Sequence, residues 1–190
     1  GIPSGAVISR ITGGTSFVIS ALGTSSASGV TLTSTKVSAM LDLNGQTNVT
    51  GNVMLTGSGA ASVVGGGNAA ATGTNSTAAL WNSSSSAASF IGTLNFSTGP
   101  GSNVTIGGIG DISLGTLGSG FGNNTVFKVG PNTLTISGNN TGFNPYLDIL
   151  SGVVKVGSGG ALGNMRATYI KSGGVLDING QTVAEDLQLA

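Results

Sequence analysis

The chain is made of short runs in which apolar and small polar side chains alternate, and each run is cut off by Gly, Asn or Ser. Val30-Thr31-Leu32-Thr33, Met40-Leu41-Asp42-Leu43, Gly92-Thr93-Leu94-Asn95-Phe96 and Asp111-Ile112-Ser113-Leu114 are examples. Thr133-Leu134-Thr135-Ile136, Val153-Val154-Lys155-Val156 and Val175-Leu176-Asp177-Ile178 continue the series. A period of two sends apolar side chains to one face of a strand and Thr, Asn or Asp to the other. The breaks between runs are turn chemistry. No long stretch holds apolar residues at i, i+3, i+4 and i+7, as an amphipathic helix requires. The chain is expected to be all-β.

Strands this short cannot stand alone, so the question is how they stack. An antiparallel sandwich or barrel is one solution, and a solenoid with coils stacked in parallel is the other. Sandwich strands tend to be longer and richer in aromatic residues, whereas only 5 % of this chain is aromatic. The chain also repeats itself. Leu41-Asp42-Leu43-Asn44-Gly45-Gln46-Thr47 returns as Leu176-Asp177-Ile178-Asn179-Gly180-Gln181-Thr182, each with Ala-Leu-Gly upstream. Asn-Gly accepts positive φ at both residues, which makes each copy a strand and tight turn. These features favour a parallel β-helix running through residues 1–190 as one segment of a longer repeat protein. At roughly 20 to 25 residues per coil, that is about eight coils. Leu41, Leu43, Leu176 and Ile178 are expected to face inward.

Composition narrows the class. The chain has no Cys and no His, which excludes a disulfide scaffold and a Cys/His zinc site. Charged residues are 6 % of the 190 and the formal net charge is zero, so nothing concentrates nucleic acid or an anionic membrane. The 38 % hydrophobic content separates the chain from disordered sequences, which are poor in apolar residues and rich in net charge. No apolar run approaches the ~20 residues of a membrane-spanning helix. The chain opens on Gly1-Ile2-Pro3 without a signal peptide, as a processed or excised piece would. Both ends look like open solenoid ends, since residues 6–23 line up with residues 146–163 and Leu187-Gln188-Leu189-Ala190 ends on a strand.

Residues able to carry chemistry are few. The carboxylates are Asp42, Asp111, Asp148, Asp177, Glu185 and Asp186. Asp42 and Asp177 hold the same place in the repeated unit, two residues before Asn-Gly. They are expected to point outward and bond the turn backbone rather than to catalyse. Glu185-Asp186 is the one adjacent acidic pair, without a calcium-loop pattern around it. Arg10, Lys36, Lys128, Lys155, Arg166 and Lys171 are scattered, as solubilising residues on outward faces would be. No nucleophile elbow, dinucleotide fingerprint or phosphate loop is present. No catalytic, cofactor-binding or metal-ligating residue is assigned. Residues 57–89 are rich in Ala, Ser and Gly and hold the only Trp, Trp81. That stretch is either a narrow coil or a loop standing off the rod, and Trp81 is the candidate interaction anchor against the alternative that it covers a core edge.

Residues 132–163 resemble the autotransporter-associated β-strand repeat of type V secretion passengers. The resemblance is carried by Asn132-Thr133-Leu134-Thr135-Ile136-Ser137-Gly138-Asn139-Asn140-Thr141-Gly142, then Ser151-Gly152-Val153-Val154-Lys155-Val156-Gly157 and Gly159-Gly160-Ala161-Leu162-Gly163. Gly174-Val175-Leu176-Asp177-Ile178-Asn179-Gly180-Gln181-Thr182 is similar to the usual continuation. The resemblance implies a right-handed parallel β-helix, export, and display at a bacterial surface. Phe143-Asn144-Pro145-Tyr146-Leu147-Asp148 departs from the family pattern, and Pro145, having no N–H, is expected to force a bulge. The expected function is an extracellular structural element, not an enzyme, that stacks end to end with copies of itself or with flanking repeats. The alternative is an adhesin that binds a glycan, and the remote third is a polysaccharide-degrading enzyme.

Overall fold

The computed structural model describes residues 8–13, 16–19, 40–55, 79–96, 103–118, 124–164 and 166–190. The chain divides into two compact units, Gly1–Thr35 and Lys36–Ala190. In the first, β1 (Ile8–Gly13) and β2 (Ser16–Ile19) form an antiparallel pair, with Gly13 opposite Ser16. This pair is antiparallel, whereas the strand pairs of the second unit are parallel. The aligned strands near residue 150 are also separated by two residues, yet they turn into different sheets and do not pair with each other.

The second unit is an all-β parallel solenoid. Its strands are β3 (Leu41–Asp42), β4 (Asn52–Leu55), β5 (Leu80–Asn82), β6 (Ala88–Phe96), β7 (Val104–Gly108), β8 (Ile112–Leu117) and β9 (Thr125–Val129). They continue as β10 (Thr133–Ile136), β11 (Tyr146–Ile149), β12 (Gly152–Val156), β13 (Ala167–Ile170), β14 (Gly174–Asp177) and β15 (Leu187–Leu189). Odd-numbered strands stack into one sheet in the order β15-β13-β11-β9-β7-β5-β3. Even-numbered strands stack into the other in the order β14-β12-β10-β8-β6-β4. All pairing in these two sheets is parallel, as the short strands predict. The chain thus crosses from sheet to sheet at every corner, which supplies the crossover that parallel neighbours need.

The register sets the coil length. Ile106 pairs with Lys128, Lys128 with Ile149, and Ile149 with Ile170, and side-chain bonds between equivalent corners span 22 residues. Among the described residues there are seven rungs in one sheet and six in the other, fewer than the eight coils expected. Two stretches account for the difference: no rung is described before Leu41, and β4 and β5 are separated by 24 residues where β6 and β7 are separated by seven. That excess falls in residues 56–78, which lie outside the described residues. The remainder of the Ala/Ser/Gly-rich stretch, residues 79–89, belongs to the solenoid itself through β5 and the start of β6.

Apolar side chains stack in columns between the sheets. One column runs Ala88, Ile112, Leu134, Val154 and Leu176, and another Phe90, Leu114, Ile136 and Val156. Facing them, Val104, Val126, Leu147 and Thr168 form a column of the odd-numbered sheet. Nearly all of these side chains are buried.

Buried amides tie the rungs together at the corners. Asn82 Nδ2 donates to the carbonyls of Ser86 (2.8 Å) and Asp111 (3.1 Å), while its Oδ1 accepts from the N–H of Gly45 (2.8 Å) and Ser84 (3.3 Å). Asn140 Oδ1 accepts from Leu117 N–H (2.9 Å) and its Nδ2 donates to Ala161 C=O (2.7 Å). Each amide therefore bonds to the coils on both sides of its own, and hydrogen bonding is the condition under which a buried polar group is tolerated.

Three expectations change on this frame. The repeated heptapeptides do form the same turn: Asn44 and Asn179 take φ of 44° and 48°, and the N–H of Gln46 and Gln181 bonds back to Leu43 and Ile178. They occupy different corners, however, because Leu41 lies in the odd-numbered sheet and Leu176 in the even-numbered one. Leu43 is buried and Leu41 and Leu176 pack against the core, but Ile178 is 48 % exposed, since β14 before it is the terminal strand of its sheet, whereas the coil of β5 covers Leu43. Pro145 causes no bulge, since it sits just before β11, where no rung needs its N–H, and β11 keeps regular register on both sides. The register shift in the solenoid lies instead between Phe90 and Thr93.

Leu147→Ala, which removes a fully buried side chain from the column, is expected to lower stability by about 2–5 kcal/mol. Ile178→Ala should cost less than ~1 kcal/mol, because that side chain is half exposed. Urea unfolding of the two variants checks the difference.

Candidate functional site

Alternation on the odd-numbered sheet turns a second set of side chains outward. Thr105, Phe127, Asp148, Tyr169 and Gln188 stand directly opposite one another on successive rungs. Tyr146 lies two residues before Asp148 on β11, on the same face. Phe127, Tyr146, Asp148 and Tyr169 are all partly exposed. The two tyrosine rings are 6.3 Å apart, centroid to centroid. The guanidinium of Arg166 lies 5.9 Å from the Tyr146 ring centre, and the Lys171 ammonium 4.9 Å from that of Tyr169, both within cation–π range.

Asp148 is the unusual member. Partial burial between Phe127 and Tyr169 disfavours its charged form and raises its pKa, against the nearby Lys171 ammonium, which lowers it. No described residue hydrogen-bonds its carboxylate. The other strand-flanking aspartates behave differently. Asp42 Oδ1 accepts from Asn44 and Ser83 N–H (both 3.0 Å), Asp111 Oδ1 from Thr133 N–H (2.8 Å), and Asp177 Oδ1 from Asn179 N–H (2.9 Å). For Asp42 and Asp177 this is the turn-bonding role expected from sequence.

A second cluster lies at the tight corner between β9 and β10. Lys128 was expected outward, but its register with Ile106 and Ile149 puts it in an inward column, where it is fully buried. Its stem takes the place of an apolar side chain, and its Nζ donates to the carbonyls of Val129 (2.8 Å), Gly130 (3.0 Å) and Ser151 (3.2 Å). Gly130 and Gly152, with φ of 79° and 72°, make the bends that expose these carbonyls. Burial pushes the Lys128 pKa down from 10.5 to about 7, while the Asp111 carboxylate acts to raise it. Beside it, Asn132 is buried with neither side-chain atom hydrogen-bonded.

Trp81 has no exposed surface. Gly107 is its neighbour on the next rung, and a Cβ there would come within 2.9 Å of the indole Cζ3, so the missing side chain gives the ring its place. The ring packs in a small cluster with Val129, Met40 and Leu150, separate from the main core. A ring so enclosed offers no surface to a partner, which favours the core-edge role over the anchor. Glu185 and Asp186 bring no further ligand with them: among the described residues there is no group of three or more side chains suited to a metal ion. No described helix is long and apolar enough to cross a membrane. Arg10 and Lys36 have no described side-chain environment.

The outward aromatic face was not singled out from sequence, although Tyr146-Leu147-Asp148-Ile149 carries its alternation. The missing information was the register that brings Phe127 and Tyr169 to either side of Asp148. No family model, curated protein or solved structure matches the chain.

Two titrations follow. The folded chain releases the Lys128 proton near pH 7, whereas the unfolded chain holds it to about 10.5. Stability relative to Lys128→Met is therefore expected to rise as pH goes from 7 to 10 and to be lowest below pH 7. Denaturant unfolding across that range checks the sign, and a flat difference contradicts it. For Asp148, whose pKa is raised, stability is lost as pH climbs through the folded value. Asp148→Asn should then melt at the same or a higher temperature at pH 7.

Proposed function

We propose that this chain is a non-enzymatic structural element of a bacterial extracellular surface protein or fibre, joined end to end to further coils. The observation that carries this reading is the last rung. All three residues of β15 are exposed; Leu187 continues an inward column beneath Thr168 yet is 46 % exposed, and Leu189 is 87 % exposed. Val175, on the neighbouring β14, is 51 % exposed. β15 bonds to β13 alone among the described strands. Its other edge carries unpaired backbone groups beside apolar surface, the combination that accepts another strand. A further coil, from a longer chain or from a second copy, would cover both. The resemblance of residues 132–163 to passenger repeats supports a surface location, and the lack of Cys suits passage across an envelope.

Sedimentation velocity over a wide concentration range tests the stacking. The chain is expected to associate, and Leu187→Asp with Leu189→Asp to leave it monomeric with its β-sheet circular dichroism retained. A monodisperse monomer for the unsubstituted chain at high concentration counts against end-to-end contact. Labelling intact cells with a membrane-impermeant reagent tests the location.

The second reading is an adhesin. The partly exposed face of Phe127, Tyr146, Asp148 and Tyr169 favours it, since aromatic rings with an unbonded carboxylate are interface chemistry rather than solubilising chemistry. The expected loop anchor at Trp81 does not.

A further inference from the structure

We propose that the outward face of β9, β11 and β13 is a binding site for an uncharged hexopyranose chain, with Phe127, Tyr146 and Tyr169 as stacking platforms and Asp148 as the hydroxyl acceptor. The proposal rests on the adhesin reading and gives it a place and a ligand class.

The residues placed here set the face apart from the rest of the solenoid. On the even-numbered sheet, outward positions carry small polar or aliphatic side chains, as at Ser113, Thr133, Thr135, Val153 and Val175, and no aromatic ring among the described residues. On this face stand both tyrosines of the whole chain, together with Phe127. Aromatic side chains on a solvated face contribute nothing to the inward columns. They lose little conformational entropy when they meet a ligand, which is why they recur at binding surfaces. Asp148 adds a second, independent observation. The three other strand-flanking aspartates each cap a backbone N–H, so the fold explains them. Asp148 caps nothing among the described residues and sits directly between two aromatic neighbours. A residue that the fold does not need, held where its surroundings oppose its charge, marks a functional position.

The ligand class follows from what this face can and cannot contact. β11 is hydrogen-bonded on both edges, to β9 and to β13, so a peptide cannot bind by adding a strand. Contact must come through side chains on a sheet surface. A sugar ring fits: its C–H face lies on an aromatic ring while its rim hydroxyls donate to a carboxylate. Two rings 6.3 Å apart address successive units of a chain better than one isolated ring would. Asp148 between the rings accepts from hydroxyls and disfavours a phosphate or uronate placed directly against it, while Arg166 over Tyr146 and Lys171 over Tyr169 balance its charge, so the face as a whole suits an uncharged ligand. Arg166 is exposed. Its guanidinium over Tyr146 and the Lys171 ammonium over Tyr169 bring donors for hydroxyls to the same face.

The test uses the complete chain and a panel of soluble oligosaccharides of glucose, mannose, galactose and N-acetylglucosamine, with alginate and heparin as acidic probes. Binding is read by calorimetry and quenching of tyrosine emission. At least one neutral oligosaccharide is expected to bind, and Tyr146→Ala with Tyr169→Ala to weaken it by about tenfold or more. Asp148→Asn should also weaken binding while leaving the melting temperature unchanged or higher, which separates a lost contact from a lost fold. Should no sugar bind, both this site and the glycan-adhesin reading fail. Neutral sugar binding that survives all three substitutions leaves the adhesin reading standing and overturns the site. Binding confined to alginate or heparin, and lost in Arg166→Ala with Lys171→Ala, overturns the ligand class.

Discussion

Backbone hydrogen bonds between successive rungs hold this molecule together, and the rest of the structure follows from keeping them in register. Each rung has to arrive one strand spacing above the last with its inward side chains over those below. That demand keeps the step near 20 to 22 residues from β7 to β14, with short corners and glycines of positive φ at positions 130 and 152. It also explains the modest chemistry of the sequence. A column such as Ile112, Leu134, Val154 and Leu176 needs only similar apolar shapes stacked at a constant spacing. No single large residue has to organise a core, so a chain with few aromatics still buries a continuous apolar interior.

Several polar groups inside that interior sit where the backbone offers them partners, whereas Asn132 finds none among the described residues. Asn82 and Asn140 satisfy donors and acceptors on coils above and below their own. Lys128 follows the same rule with three carbonyls, at a bend where those carbonyls would otherwise turn inward without donors. The corner thereby gains order, and the lysine carries the strain of a buried charge as a depressed pKa. On the outer face, Asp148 shows the opposite case, a carboxylate whose partial burial opposes its charge despite the nearby Lys171 ammonium, and whose oxygens no described residue bonds.

Much of the fold was legible in the sequence because period-two alternation and Asn-Gly turns are local signals. Strand positions and the turn-bonding role of Asp42 and Asp177 follow from them, while parallel stacking follows from the internal repeat and the low aromatic content. What was hidden depends on register, which no local pattern encodes. The two heptapeptides look like equivalent repeat units, yet they stand at opposite corners, because a turn that changes sheets works in either direction. Lys128 looks like a surface cation until Ile106 and Ile149 are seen to be its neighbours. The outer face of Phe127, Asp148 and Tyr169 is spread over residues from three separate coils, and Trp81 finds its burial through a glycine 26 positions away.

The amides that span three coils have a mechanical consequence. In a solenoid, the hydrogen bonds between rungs point along the axis, so tension along that axis loads one rung at a time, as in a zipper. Without cross-ties the rungs would part singly, each at a small force. Asn82 links the coil of Gly45 to that of Asp111, and Asn140 links the coil of Leu117 to that of Ala161, so at these points two steps must yield together. A rod of this kind would resist pulling unevenly along its length, giving way first between its ties and last across them.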